Sequence, residues 1–173
     1  MGLFPNARFV IVGGELPGSH HQAYAAHLKQ LRHALGLDMN VIFTGFRPDV
    51  PNAMAAADVV VHCSKFPDPF PGVVLQGMAC GKPVIATDIG GTGEQIEHGV
   101  SGLLIHPDDP GELAEWICRL LQDPDYRKEL GQAAAHRVST EFSVGVFRQK
   151  LSQVYLDVAC KQGKTVAAKE FNV

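Results

Sequence analysis

Five short runs of apolar, mostly β-branched residues punctuate the chain: 8–12 (RFVIV), 41–44 (VIFT), 59–63 (VVVHC), 82–87 (KPVIAT) and 102–105 (GLLI). None alternates apolar with polar, and turn-forming residues follow them, the pattern of strands buried on both faces. Helical signals separate the runs. After a loop containing Pro17, Gly18 and Ser19, the residues Tyr24, Leu28, Leu31 and Leu35 recur at helical spacing, and Gly36 is placed to end that helix. Residues 47–51 read as a loop and 52–57 as a short helix. Residues 72–80 are apolar and free of turn formers apart from glycine, which predicts a buried helix with Gln76 as its one strongly polar side chain. A short helix over 94–97 ends at Gly99. Asp108 or Asp109 caps the next helix, with Pro110 near its first position and Leu113, Trp116, Ile117, Leu120 and Leu121 on one face. Asp123 with Pro124 starts a helix running to about residue 139, and Ser143 starts another over about 144–159. Strands and helices alternating through short loops imply an α/β fold: a Rossmann-like, doubly wound parallel sheet with helices on both faces. Residues 1–160 read as one domain, and the weakly patterned tail 161–173 as poorly ordered.

The crossover from the third strand to the 72–80 helix stands out. Ligands of open α/β sheets bind at the carboxyl ends of strands, against helix N-termini. Asp68 and Gln76 flank that crossover. A buried Gln76 needs a partner in protein, water or ligand.

Composition narrows the function classes. With 46% hydrophobic and 19% charged residues, the chain has material for a full core and is not disordered in type. A net charge of −3 argues against a nucleic-acid module. Residues 1–6 (MGLFPN) have neither the charge nor the apolar run of a signal peptide, and Asn6 stands where a myristoylation signal needs Ser or Thr. No window approaches the roughly 18 apolar residues of a membrane span, so a cytoplasmic protein with no direct membrane span is expected. Cys63, Cys80, Cys118 and Cys160 lack metal-ligand spacing and read as reduced, mostly buried thiols; the pair His20-His21 reads as loop, and no metal site is expected.

Single glycine motifs decide little. Gly13-Gly14 is not a G-x-G-x-x-G fingerprint, because the next glycine is Gly18 and no helix opens there. Neither a P-loop nor a G-x-S-x-G elbow is present. Gly90-Gly91 is either a tight turn or a place where backbone approaches a ligand closely.

Residues 70–91, FPGVVLQGMACGKPVIATDIGG, resemble the hallmark segment of the family-4 retaining glycosyltransferases of the GT-B fold, the glycosyl transferases group 1. Gly45-Phe46, Ala56-Ala57-Asp58, residues 99–104 (GVSGLL) and Asp123-Pro124 fall where that family has similar pieces. The resemblance covers roughly residues 7–158.

The resemblance implies transfer of a sugar from a nucleotide-diphosphate sugar, a UDP- or GDP-sugar, to an acceptor with retention at the anomeric carbon. It implies no metal and no other cofactor. It makes this chain the donor-binding half of a GT-B enzyme whose N-terminal domain, together with a strand and helix preceding Phe9 and the cations they carry, has no match here. The fragment alone is then expected to be inactive. Aligned on Phe70, the family's two glutamates correspond to Asp68, the candidate catalytic residue facing the donor sugar, and to Gln76, at the ribose. Phe70, Pro71, Gly72 and Val73 would line the donor site, with Gly72 and Val73 amides on a phosphate; Ser64, His62, Gly45 and Arg47 are further candidates near the base or sugar. Pro71 replaces a common glycine, which stiffens the loop and removes a donor. Asp68 is one methylene short and Gln76 uncharged, so each also reads as an ordinary solvated or structural side chain. The alternative function is a degenerate, non-catalytic GT-B-like module for protein interaction.

Overall fold

A computed structural model describes residues 4–14 and 22–161. The loop at 17–19, the pair His20-His21 and the tail beyond Lys161 lie outside the described residues. Strands and helices alternate as β1 (Phe9–Val12), α1 (Gln22–Ala34), β2 (Val41–Gly45), α2 (Val50–Ala56), β3 (Val60–His62), α3 (Gly72–Ala79), β4 (Val84–Thr87), α4 (Thr92–Gln95) and β5 (Leu103–Ile105). Three helices follow: α5 (Pro110–Gln122), α6 (Pro124–Glu141) and α7 (Val144–Lys161). The strands are parallel throughout, and the fold is of the Rossmann-like α/β class. Their hydrogen bonding is divided between two sheets, β1–β2 and β3–β4–β5, and the chain between two compact units, residues 1–50 and 51–173.

In the first unit β1 pairs with β2 from Phe9↔Val41 onward, with a register shift after Ile11 that brings Val12 opposite Gly45. Asn40 ties the preceding segment down, its Nδ2 donating to the Ala7 carbonyl at 3.0 Å. The expectation of a strand buried on both faces is not met here: Phe9, Val10, Ile11 and Val12 are 38–53% exposed. Tyr24, Leu31 and Leu35 of the helical stripe are exposed as well. Among the described residues of this unit, two strands and one helix leave the faces of the sheet open.

The second unit holds a finished core. β4 is the central strand and all four of its residues are buried. Side chains alternate across it. Ile85 joins Leu103, Ile105, Leu120 and Leu130 in one cluster, against which Trp116, Ile117 and Tyr126 pack. On the opposite face α3 comes so close that a Cβ on Gly77 would meet Val60 and Val84 at 3.0 Å. The helix starts follow the sequence signals. Asp109 accepts from the Glu112 amide at 2.9 Å and Asp123 from the Tyr126 amide at 2.9 Å, each followed by proline at the first helical turn. Asp108 instead takes a left-handed turn at φ 60°, which resolves the choice of cap.

Three expectations need correction. Helix α3 is not buried all round: Val74, Gly77 and Met78 are buried, whereas Gly72, Gln76 and Ala79 are exposed one and two turns apart. Helix α4 starts at Thr92 because the buried Thr92 hydroxyl donates to the Thr87 carbonyl at 2.7 Å and accepts from the Ile89 amide at 3.1 Å, closing the turn early. The four thiols are free but not mostly buried, since Cys63 and Cys160 are exposed and Cys80 and Cys118 half-buried. Cys63 follows the end of β3 and Cys160 sits in the last turn of α7, outside the packed cluster.

Candidate functional site

The crossover after β3 is shaped by polar groups turning back on the chain. The Ser64 hydroxyl donates to the Phe66 carbonyl at 2.8 Å, and Thr87 at the end of β4 donates its hydroxyl to the Ser64 carbonyl at 2.9 Å. Asp68 accepts the Phe70 amide on Oδ1 at 3.0 Å, an Asx-type turn. Its own carbonyl accepts from the Gly91 amide at 2.9 Å. Of the two readings of Gly90-Gly91, close approach holds, and the structure shows it made to this loop. A Cβ on Gly91 would sit 1.9 Å from the Pro69 carbonyl oxygen, and one on Gly90 2.3 Å from that of Asp68.

Pro71, buried, precedes α3 with extended backbone (φ −62°, ψ 115°) and supplies no side-chain cap. The Val74 amide bonds to the Pro71 carbonyl at 3.2 Å, while the amides of Gly72 and Val73 have no acceptor among the described residues. These two donors and the positive end of the helix dipole face outward beside exposed Gly72, an arrangement suited to an anion. Gln76 lies one turn further along the same exposed face. Its carboxamide therefore has access to solvent or ligand, and the argument that burial obliges it to find a partner falls. The Phe70 ring and the Phe142 ring meet edge-on, centroids 5.7 Å apart, which ties the loop to the end of α6.

His62 ends β3. Burial pushes its imidazole below the ordinary value against a weaker opposing pull from the Asp68 carboxylate. Its Nε2 is buried and has no partner among the described residues. Asp68, His62, Ser64 and residues 70–76 thus belong to one crossover in the second unit.

Gly45 and Arg47 belong to the first unit. Gly45 has φ 69°, and its carbonyl accepts from the Gly13 amide at 3.1 Å and the Thr44 hydroxyl at 2.9 Å. Arg47 directs Nε to Asp49 at 2.9 Å, with Nη2 on the second oxygen, so its fork is engaged within its own loop. That pairing raises the Arg47 pKa and lowers that of Asp49. Among the described residues no three His, Cys, Asp or Glu side chains are grouped to hold a metal ion. No helix among them is long and apolar enough to cross a membrane.

Residues 2–137 match the family described as glycosyl transferases group 1. The chain belongs to this family. It is 33% identical over 164 residues to a putative glycosyltransferase, YtcC, of Bacillus subtilis (strain 168), a match covering 92% of this chain and 40% of that protein. Among solved structures it resembles Anabaena Alr3699/HepE in complex with UDP, with TM-score 0.84 and 37% identity over 88% of this chain and 42% of that one. It also resembles sucrose-phosphate synthase from Thermosynechococcus elongatus, with TM-score 0.83 and 30% identity over 92% of this chain and 40% of that one. The chain thus spans about two fifths of the length of these relatives.

Sequence reasoning missed four residues that shape this group 1 crossover: Thr92, Gln95, Arg137 and Phe142. Gln95 Nε2 donates to the Pro71 carbonyl at 3.2 Å, and Arg137 donates to the Gln95 and Glu94 carbonyls at 2.9 and 3.1 Å. Partners 24 to 43 positions apart leave no local pattern in a single sequence.

Two measurements follow from this geometry. Gly91→Ala is expected to destabilise the domain by about 3 kcal/mol in urea unfolding, because its Cβ collides with backbone. Gly93→Ala, whose Cβ meets only the Asp88 carboxylate at 3.4 Å, should stay within about 0.5 kcal/mol of the parent. In NMR titration His62 should lose its proton below the free-imidazole value of about 6.5, and His106, held by Glu112 at 3.0 Å, above it. The signs for stability are opposite. The lowered pKa of His62 gives a contribution complete above about pH 6.5 and lost as pH falls through its lower folded value. The raised pKa of His106 gives one present below about pH 6.5 and lost as pH climbs through its folded value.

Proposed function

We propose that this domain binds the nucleotide-diphosphate sugar donor of a retaining glycosyltransferase, and that a second Rossmann-like domain of the same protein supplies the acceptor. The observation that carries the reading is the 37% identity and TM-score of 0.84 to a structure that holds UDP, together with a close match to the same protein with UDP-glucose. The α3 N-terminus supports it. Gly72 and Val73 present two unfilled amides where a diphosphate would be received. Gln76, one turn along, reaches a ribose diol with one acceptor and two donors in place of a carboxylate. Asp68 keeps Oδ2 for a donor-sugar hydroxyl while Oδ1 holds the Phe70 amide.

In the transfer, the anomeric C–O bond to the diphosphate breaks with its electron pair on the diphosphate oxygen, and the acceptor oxygen bonds to the same face of the sugar as its proton passes to that diphosphate oxygen. Negative charge gathers on the departing diphosphate. Helix amides aimed there stabilise that charge more than they stabilise the bound donor. The work needs no divalent cation in this reading.

Calorimetric titration with UDP and GDP tests the proposal. Weak binding of at least one, unchanged by EDTA, is expected. No heat and no amide shift at millimolar concentrations of either nucleotide would refute it. Gln76→Glu should tighten nucleotide binding severalfold, since hydrogen bonds to a charged acceptor contribute about 1.5–3 kcal/mol and neutral ones 0.5–1.5. Unchanged affinity in that variant would remove Gln76 from the ribose.

A further inference from the structure

A buried side chain, Gln95, reaches the residue that precedes α3, and a half-buried one, Arg137, holds Gln95 from behind. Gln95 is fully buried, and its Nε2 donates to the Pro71 carbonyl at 3.2 Å. Pro71 has no N–H, so that carbonyl is its one polar handle. The Gln95 Oε1 is buried and has no partner among the described residues. Exchanging the amide atoms would set Oε1 against the Pro71 oxygen, so the bond fixes the assignment. A buried acceptor without a partner is destabilising, and a methionine would fill similar space without one. Stability alone therefore does not account for an amide at this position.

Gln95 is itself held from α6. Arg137, with a side chain 22% exposed, sends Nε to the Gln95 carbonyl at 2.9 Å and Nη2 to the Glu94 carbonyl at 3.1 Å. These are the last carbonyls of α4, which no intrahelical amide satisfies. Nη1 bonds to Glu141 at 2.9 Å, and the guanidinium lies over the Phe142 ring at 5.6 Å. Phe142 in turn meets Phe70 edge-on. The end of α6 thus reaches the loop by two routes, through Gln95 to Pro71 and through Phe142 to Phe70. Both arrive immediately before the unfilled amides of Gly72 and Val73.

We propose that Gln95 and Arg137 are positioning residues of the donor site: by fixing the Pro71 carbonyl they set where α3 begins and where its first amides point. The proposal rests on the donor-binding reading of that helix start. It differs from a packing role in one consequence: loss of the Gln95 amide should cost ligand affinity without costing stability.

The test compares the chain with its Gln95→Met and Arg137→Lys variants by thermal melting, UDP titration and 15N relaxation without ligand. For Gln95→Met the expected results are a melting temperature equal to or above the parent's and UDP affinity lower by about fivefold, the factor carried by one neutral hydrogen bond. The order parameters of Gly72 and Val73 should fall from the rigid range near about 0.85 while those of α5 hold. Arg137→Lys offers a single donor head in place of a fork and should show the same loosening and weaker UDP binding. A drop in melting temperature for Gln95→Met would overturn the proposal, as would unchanged affinity with unchanged relaxation. If the parent chain binds neither UDP nor GDP, the donor reading fails on its own. The ligand-free relaxation of Gly72 and Val73 then still decides whether Gln95 sets the helix start.

Discussion

Backbone packed on backbone, with no room for even one methyl group, is the constraint on which the crossover depends. Gly90 and Gly91 run against residues 68–70 so closely that any side chain at Gly91 would overlap the Pro69 carbonyl. The contact is sealed by the Gly91 amide on the Asp68 carbonyl at 2.9 Å and by Thr87 on the Ser64 carbonyl. Two loops that follow different strands are thereby made one body. Beneath them, β4 is buried along its whole length between β3 and β5. Protein interiors of that density do not deform continuously, so the start of α3 is held to the position the sheet dictates.

That rigidity matters because the site is built from weak elements. Two backbone amides, a neutral carboxamide and one carboxylate with an oxygen committed to its own loop offer little net charge. Each hydrogen bond of this kind contributes modestly, and only preorganisation lets several of them act together. The uncharged Gln76 lowers the strength of its own contact. It also removes a negative charge from the neighbourhood of the amides that would receive an anion. The Pro71 carbonyl accepts from Gln95 of α4 as well as from the Val74 amide, so it is constrained more firmly than Val74 alone would hold it.

What the sequence revealed, and what it did not, divides along a physical line. Helix starts at Asp109 and Asp123 were legible because a cap and its amide lie three residues apart. The five strands were legible because apolar runs between turns have few other fates. The crossover was legible because a strand end, a loop and a helix start adjoin in sequence. Burial was less legible, because it depends on what a face meets. The helix of Gln76 looks apolar enough to be enclosed, yet its Gly72–Gln76–Ala79 side is open, and β1, the most apolar of the strands to the eye, is exposed on both faces. Least legible were Gln95 and Arg137, whose bonds to Pro71 and to α4 span 24 and more residues. Nothing in their local sequence distinguishes them from surface helix residues.

The two units differ in a way that bears on how much each contributes to the candidate site. The second has a closed core, capped helices and a crossover whose polar groups are mostly satisfied, so its geometry follows from its own packing. The first has a two-stranded sheet with exposed valines and isoleucines and a candidate arginine, Arg47, already engaged by Asp49. A lone pair of strands gains little from burial, whereas the second unit encloses Ile85, Leu103 and Leu120 completely. The determinants set by packing are therefore those of α3 and its loop, and Gly45 and Arg47 stand on a scaffold with much less to hold it. Family membership rests on the match over residues 2–137. The chemistry argued from geometry rests on residues 62–76 and the α4 and α6 groups that brace them.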